Sequence, residues 1–188
     1  MSYASITQLA EHLQIADALD DDVLELALQA AERQVEEWCR RDFTPVDPDE
    51  DPAETRLYRT YGTYIWIDDV VAVDTVEVDS GGGFVTVDTF DLEPFNNLQH
   101  GKPYQQITFD RDLAGKFKVT GWFGWPSTPD AVVQAVVLQA ARLAQRRNAQ
   151  FGVATVPGLD GSGMRLLAKL DADVELLLAP YRKNPVLV

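Results

Sequence analysis

The sequence predicts an α+β protein: a helical core of N-terminal helices, a long alanine-rich helix and a short C-terminal helix, with an inserted antiparallel β-sheet or small β-barrel. Three observations predict it. Apolar residues recur at helical spacing in the first 41 residues and again after Pro129. Between those stretches lie five runs of alternating or continuous β-branched and aromatic residues. Gly, Pro, Asn and Asp punctuate the boundaries.

The elements follow in order. Ser5 with Gln8 three residues later is a capping-box pattern that starts a short helix over about residues 6–14. In LDDDVLELALQAAERQVEEWCRR, acids lead and arginines close, as the helix dipole favours. At about 100° per residue, Val23, Leu24, Ala27, Leu28, Ala31, Val35, Trp38 and Cys39 share one face, and Glu25, Glu32 and Glu36 lie opposite. This predicts a core-facing helix with an acidic outer surface. FTPVDPDEDPAE, with three prolines and five acids, ends the helix and reads as a mobile acidic loop.

The β-rich middle comprises RLYRTYGTYIWID, VVAVDTVEVDS, FVTVDTFDLEPF, YQQITFD and KFKVTGW. SGGGF at 80–84 reads as a hairpin turn, since it has no lysine partner of a phosphate-binding loop. On strict alternation, Val71, Val73, Thr75 and Glu77 point one way and Ala72, Asp74, Val76 and Val78 the other, so neither face is cleanly apolar. In VTGWFGWPSTP, Gly121 and Gly124 permit a bend or a close backbone approach, and Pro126 blocks further pairing. Thr128 is a fair N-cap and Pro129 suits the first helical position.

The helix that follows, to Arg147, has more apolar surface than one core needs. Val132, Val133, Val136, Val137, Ala140, Leu143 and Ala144 span a broad face, and Ala131, Ala135 and Leu138 lie beyond it among Gln134, Gln139 and Arg142. Small residues on a second face admit another helix, from this domain or from a neighbouring subunit. Arg142 and Arg146 share a face with Arg147 beside them, either a solvated helix end or a partner for an acidic surface. NAQFGVATVPGLDGSGMRLLAKL reads as an ordered excursion needing a surface to pack on. Asp171 caps a last helix, ADVELLLA, halted by Pro180, and YRKNPVLV is a basic, then apolar tail. The chain thus parses into residues 1–55, helices and acidic loop of the helical core; 56–125, the β-rich insertion; and 126–188, the C-terminal helical part and tail.

Composition narrows the function classes. No apolar run reaches the ~20 residues of a membrane span, and the N-terminus lacks the basic and apolar parts of a signal peptide. One cysteine excludes an intramolecular disulfide framework, and with only two histidines neither a metal site nor a His-based catalytic pair is expected. No cofactor motif is present. Residues 1–100 carry 23 acidic and 5 basic side chains, a balance of −18, and residues 101–188 carry 7 and 11, a balance of +4. An acidic bulk does not grip nucleic acid through phosphate neutralisation, but it lets a polyanion pass or docks on a basic partner.

The N-terminal helices, the strand Val119–Gly121 leading into G-W-P-x-x-P, the helix ending L-A-Q-R-R-N-A-Q-F-G, and the closing L-D-A-D-V-E-L-L-L-A-P-Y-R together resemble the head-to-tail connector (adaptor) proteins of long-tailed phages. The resemblance is closest over about residues 119–183. It implies a structural virion protein without catalytic residues or cofactors, forming a ring of generally twelve copies beneath the portal at the capsid vertex. Such a ring extends the DNA channel, through which DNA passes without sequence-specific binding, and supports a stopper, tail-terminator or other neck protein. Residence in the virion neck follows, with assembly in the host cytoplasm and no membrane. By position, Ala131, Ala135, Leu138, Arg142, Arg146 and Arg147 are candidates for the subunit interface, and Tyr181, Arg182 and Lys183 for portal docking. A different class also fits the residues: a carbohydrate- or peptide-binding module using Tyr58, Tyr61, Tyr64 and Trp66.

Overall fold

The computed structural model describes residues 2–14, 21–79, 81–146 and 170–183. The described residues form four α-helices and one four-stranded antiparallel sheet, an α+β fold. They cluster into two compact units, one of residues 2–41 with 130–183 and one of residues 42–129. The acidic stretch after Cys39, which the sequence reading grouped with the helices, clusters with the sheet.

The helical unit contains α1 (Ile6–Leu13), α2 (Asp21–Cys39), α3 (Asp130–Arg146) and α4 (Ala172–Leu178), followed by a 3-10 turn at Ala179–Tyr181. The capping box forms: the Ser5 hydroxyl accepts from the Gln8 N–H at 3.1 Å, and Gln8 Oε1 accepts from the Ser5 N–H at 2.8 Å. On α2, Leu24, Ala27, Leu28, Ala31, Val35 and Cys39 are buried, as the helical period predicts, with Val23 and Trp38 half-buried at the margins. The acidic side of α2 differs from a uniformly solvated face. Glu32 accepts from the Tyr3 N–H at 2.7 Å and Glu36 from the Tyr3 hydroxyl, so two of the three expected surface acids hold the N-terminal segment.

Helix α3 packs against α1, α2 and α4. Its burial is broader than the predicted face, because Ala135, Gln139 and Ala141 join Val132, Val136, Val137 and Ala140 inside. The sequence reading placed Ala135 and Gln139 on an outer side. Gln139 is instead fully buried, and its amide nitrogen donates to Gln34 Oε1 of α2 at 2.6 Å, which offsets part of the cost of enclosing a polar side chain. The helix starts at Asp130, and the Thr128 hydroxyl donates to the Phe43 carbonyl at 3.1 Å.

The sheet unit contains β1 (Glu54–Asp79), β2 (Phe84–Thr86), β3 (Asp91–Glu93) and β4 (Tyr104–Phe123), ordered β2-β1-β4-β3. The first two sequence runs merge into β1 and the last two into β4. Straight, the 26 residues of β1 would span about 85 Å. They curl instead, so that two stretches of β1 lie on opposite edges of one stretch of β4. Val119 pairs with both Arg56 and Val76, and Phe117 with both Tyr58 and Val78. Val70 pairs with Tyr104 on one side and Phe123 on the other.

Register shifts at Gly62/Tyr64, Trp66/Val70, Val70/Ala72 and Val73/Thr75 make the curl possible, since each bulge bends the strand and increases its twist. They also explain why strict alternation through 71–78 gives no clean apolar face: the inward set changes phase at the bulges, leaving Val76 and Val78 inside and Asp74 outside. The core gathers Ile65, Ile67, Val70, Ile107, Val119 and Phe123 around Phe109 and Phe117, whose rings stack 5.2 Å apart. At the β1–β2 turn, the N–H groups of Gly81 and Gly83 donate to the Asp79 carboxylate at 2.8 and 3.0 Å and hold its pKa below the usual range.

The acidic loop, expected to be mobile, is pinned to the end of β4. Trp122 Nε1 donates to the Asp51 carbonyl at 2.8 Å, the Trp125 N–H to Thr44, and the Val46 N–H to Trp125. Gly124 is needed for that approach, and Gly121 for the approach of β1 to β4. A Cβ on Gly121 would stand 2.5 Å from the Ala72 carbonyl oxygen, and one on Gly124 2.7 Å from that of Thr44.

Candidate functional site

The residues assigned to a subunit interface on α3 are not one exposed patch. Ala135 is buried within its own unit, and Ala131 and Leu138 are half-buried. Arg142 lies 3.4 Å from the Asp171 carboxylate, which also accepts the Asp173 N–H as the N-cap of α4. It therefore joins the end of α3 to the start of α4. The side chain of Arg146 and the whole of Arg147 lie outside the described residues, as do residues 147–169 and the tail 184–188.

The three portal-docking candidates close the helical unit. Tyr181 ends the 3-10 turn, Arg182 places its guanidinium 4.8 Å from the centroid of the Trp38 ring, and the Lys183 N–H donates to the Cys39 carbonyl at 2.9 Å. The last bond satisfies an orphan carbonyl at the C-terminus of α2. Cys39 is enclosed beneath it, and burial pushes its thiol up to about 12 against the opposing pull of Arg41 and Arg182. A cleft of about 220 Å³ is lined by Trp38 and Leu170 and rimmed by Glu37, Arg40, Glu175 and Arg182. Its opposed charges and small size do not define a ligand class.

The sheet unit carries several exposed aromatic side chains. Of the four aromatics proposed as a platform, Tyr61, Tyr64 and Trp66 are exposed, and the last two meet edge to face at 6.3 Å. Tyr58 is half-buried, and its hydroxyl donates to Asp68 at 3.0 Å; burial raises its pKa.

Cross-strand pairing brings together further residues that the sequence reading did not single out. Leu57 pairs with Lys118 and Lys118 with Glu77, while Arg59 pairs with Lys116 and Lys116 with Asp79. Directly paired residues share a sheet face. The ion pair of Lys118 with Glu77 and the position of the Lys118 ammonium 4.9 Å above the Phe84 ring agree with that placement. The outer face therefore carries Arg59, Lys116 and Lys118 amid Leu57, Tyr61 and Phe84. Leu57 is 67% and Tyr61 76% exposed. The alternation in KFKV held half of this signal, because it sends Phe117 and Val119 inward and both lysines outward. The other half required knowing that β1 lies on β4.

Among the described residues no group of His, Cys, Asp and Glu could hold a metal ion, and no described helix is long and apolar enough to cross a membrane.

Comparison with known proteins separates a local sequence match from a fold match along most of the chain. Residues 3–60, which include α1, α2 and the acidic loop, match the model of the phage gp6-like head-tail connector protein family. No curated protein matches the sequence. Among solved structures, a chain in the neck of an empty gene transfer agent (GTA) particle, computed with C6 symmetry, aligns with a TM-score of 0.56 and 17% identity over 97% of this chain and 90% of that one. A chain in the virion of a native GTA particle aligns with a TM-score of 0.51 and 19% identity, again over 97% and 90%. Both alignments extend through the β-rich unit, and at these identities the likeness is one of fold. In residues 3–60 the chain carries the sequence pattern of phage gp6-like head-tail connector proteins, and over nearly its whole length it shares its fold with a chain from a gene transfer agent neck.

Proposed function

We propose that this protein is a structural head-to-tail connector, assembling as a ring beneath the portal of a phage or phage-like particle, extending the DNA channel and supporting the next neck or tail protein. The single observation that carries this reading is the coincidence of two independent likenesses: residues 3–60 match the connector family, and 97% of the chain aligns in fold with a chain of a GTA neck. In this reading twelve copies surround the lumen, and DNA passes the acidic wall without sequence-specific contacts, because like charge neither binds nor retards the phosphates. The end of the helical unit at Tyr181, Arg182 and Lys183 meets the portal, and a stopper or tail terminator docks on the opposite side. Assembly takes place in the host cytoplasm, and the mature protein resides in the virion neck. The exposed Tyr61, Tyr64 and Trp66 also suit a carbohydrate- or peptide-binding module, but that reading leaves the connector pattern of residues 3–60 without a role.

Removing the gene from its particle tests the role directly. Heads and tails are then expected to accumulate unjoined, and the chain supplied in trans should restore joining. Normally joined particles made without the chain would contradict a connector role.

A further inference from the structure

Two exposed surfaces of this chain are complementary in charge, and each contains accessible apolar side chains. The first is the outer sheet face with Arg59, Lys116 and Lys118 around Leu57, Tyr61 and Phe84, a basic patch in a unit whose residues 42–129 carry 16 acids and 6 bases. Of its cations, Lys118 is ion-paired with Glu77 and Lys116 sits beside Asp79, while Arg59 is exposed near the middle of the β1 segment Glu54–Gly62, which pairs with β4 along one edge. The second is the outer stripe of α2, where Asp21, Asp22, Glu25 and Gln29 are exposed around Leu26, itself 66% exposed, with Arg33 one turn beyond. Aromatic and aliphatic side chains ringed by charged ones have the make-up of a protein interface centre and rim, and the sheet face keeps a net positive balance of three cations against Glu77 and Asp79. An opposite-charge counterpart sets its register.

We propose that the outer sheet face of one copy docks on the acidic outer stripe of α2 in the next copy. The inference rests on the ring reading above and gives that ring its seam. Because the two surfaces differ, the contact is heterologous, the type that closes a ring when the rotation between copies closes. A strongly acidic chain gains from such a seam, since each contact neutralises part of its own charge against a neighbour. The same face could attract nucleic acid by its cations, but the acidic bulk around it opposes a polyanion and favours an acidic protein surface of limited extent.

The test uses two double variants of the full chain, Arg59→Glu with Lys116→Glu, and Asp22→Lys with Glu25→Lys, both checked for native circular dichroism. Sedimentation velocity is run under conditions in which the wild type forms a ring, alone or on the portal protein. Each variant alone is expected to remain monomeric, because both of its surfaces then carry the same sign. Mixed in equal amounts the two should assemble, since every seam again joins opposite charges; simple unfolding would not be reversed by mixing. Rings formed by either variant alone, or no assembly in the mixture, would overturn the seam and leave the ring reading standing. A wild type that never exceeds a monomer would overturn both. Retardation of a DNA duplex by the wild type, lost in the Arg59→Glu/Lys116→Glu variant with rings intact, would reassign the face to nucleic acid and overturn the seam.

Discussion

Replacing Trp125 by Ala is expected to cost the protein about 3–5 kcal/mol, the range for truncating a large buried aromatic. The side chain is 1% exposed and tilted against Phe43 with ring centroids 5.1 Å apart. Its backbone is bonded in both directions to the chain after α2, donating to Thr44 and accepting from Val46, with Pro45 bridged alongside. The neighbours that would have to collapse into the vacated space are thus fixed by hydrogen bonds, so the cavity persists. Against the 5–15 kcal/mol by which domains are typically stable, the loss is a large fraction. Urea unfolding followed by circular dichroism measures it. A change under about 1 kcal/mol would show that residues 43–46 and the end of β4 are not the packed junction described above.

Gly121→Val is expected to be at least as damaging, for the opposite reason. There is no space to fill: a Cβ at this position would stand 2.5 Å from the Ala72 carbonyl oxygen and 3.0 Å from the Val73 Cα. Both are backbone atoms in the bulged part of β1, so relief requires moving a paired strand rather than rotating a side chain. Overpacking typically costs 1–3 kcal/mol and more when the backbone must yield, and the sheet unit is expected to lose its native fold or melt far below the wild type. Gly82→Ala is the control. Gly82 has open space around its virtual Cβ, and the change is expected to stay within about 0.5 kcal/mol. Equal effects at the two glycines would contradict the close approach.

These two positions also show how far the sequence could be read. The stretch from Val119 to Pro129 announces its function locally, because glycines and prolines at such spacing mark the end of a strand and the start of a helix. What the glycines approach lies roughly fifty and eighty residues away in the chain, at Ala72 for Gly121 and at Thr44 for Gly124, and no local pattern carries that information. Helices α1 and α2 were legible for the same local reason: a capping box and a 3.6-residue period are contained within the segments that they describe. Glu32 and Glu36 read as solvated because the helical wheel does not include Tyr3, which lies outside the helix and bonds both. Gln139 misled in the same way, its partner Gln34 being on a different helix.

The β-rich middle was legible as a set of strands and not as a curled pair. Alternation has a phase, and each register shift in β1 resets it, so a reading that assumes one phase through 71–78 mixes the inner and outer residues. The basic face was lost for a related reason. Arg59 and Lys116 are far apart in sequence, and only the antiparallel register places them side by side. The candidate site residues on α3 came from the family resemblance and helix position, and their burial reflects how many helices α3 touches, a tertiary quantity.

The central claim is that copies of this chain assemble as a ring at a head-to-tail junction. Light scattering of the purified protein, alone and after mixing with the portal protein of the same particle, tests it most directly. The account predicts a ring-sized mass in at least one of the two samples, with the mixed sample exceeding the portal alone by a whole ring of this chain. A protein that keeps the mass of a single chain at every concentration, and leaves the mass of the portal unchanged, would contradict it.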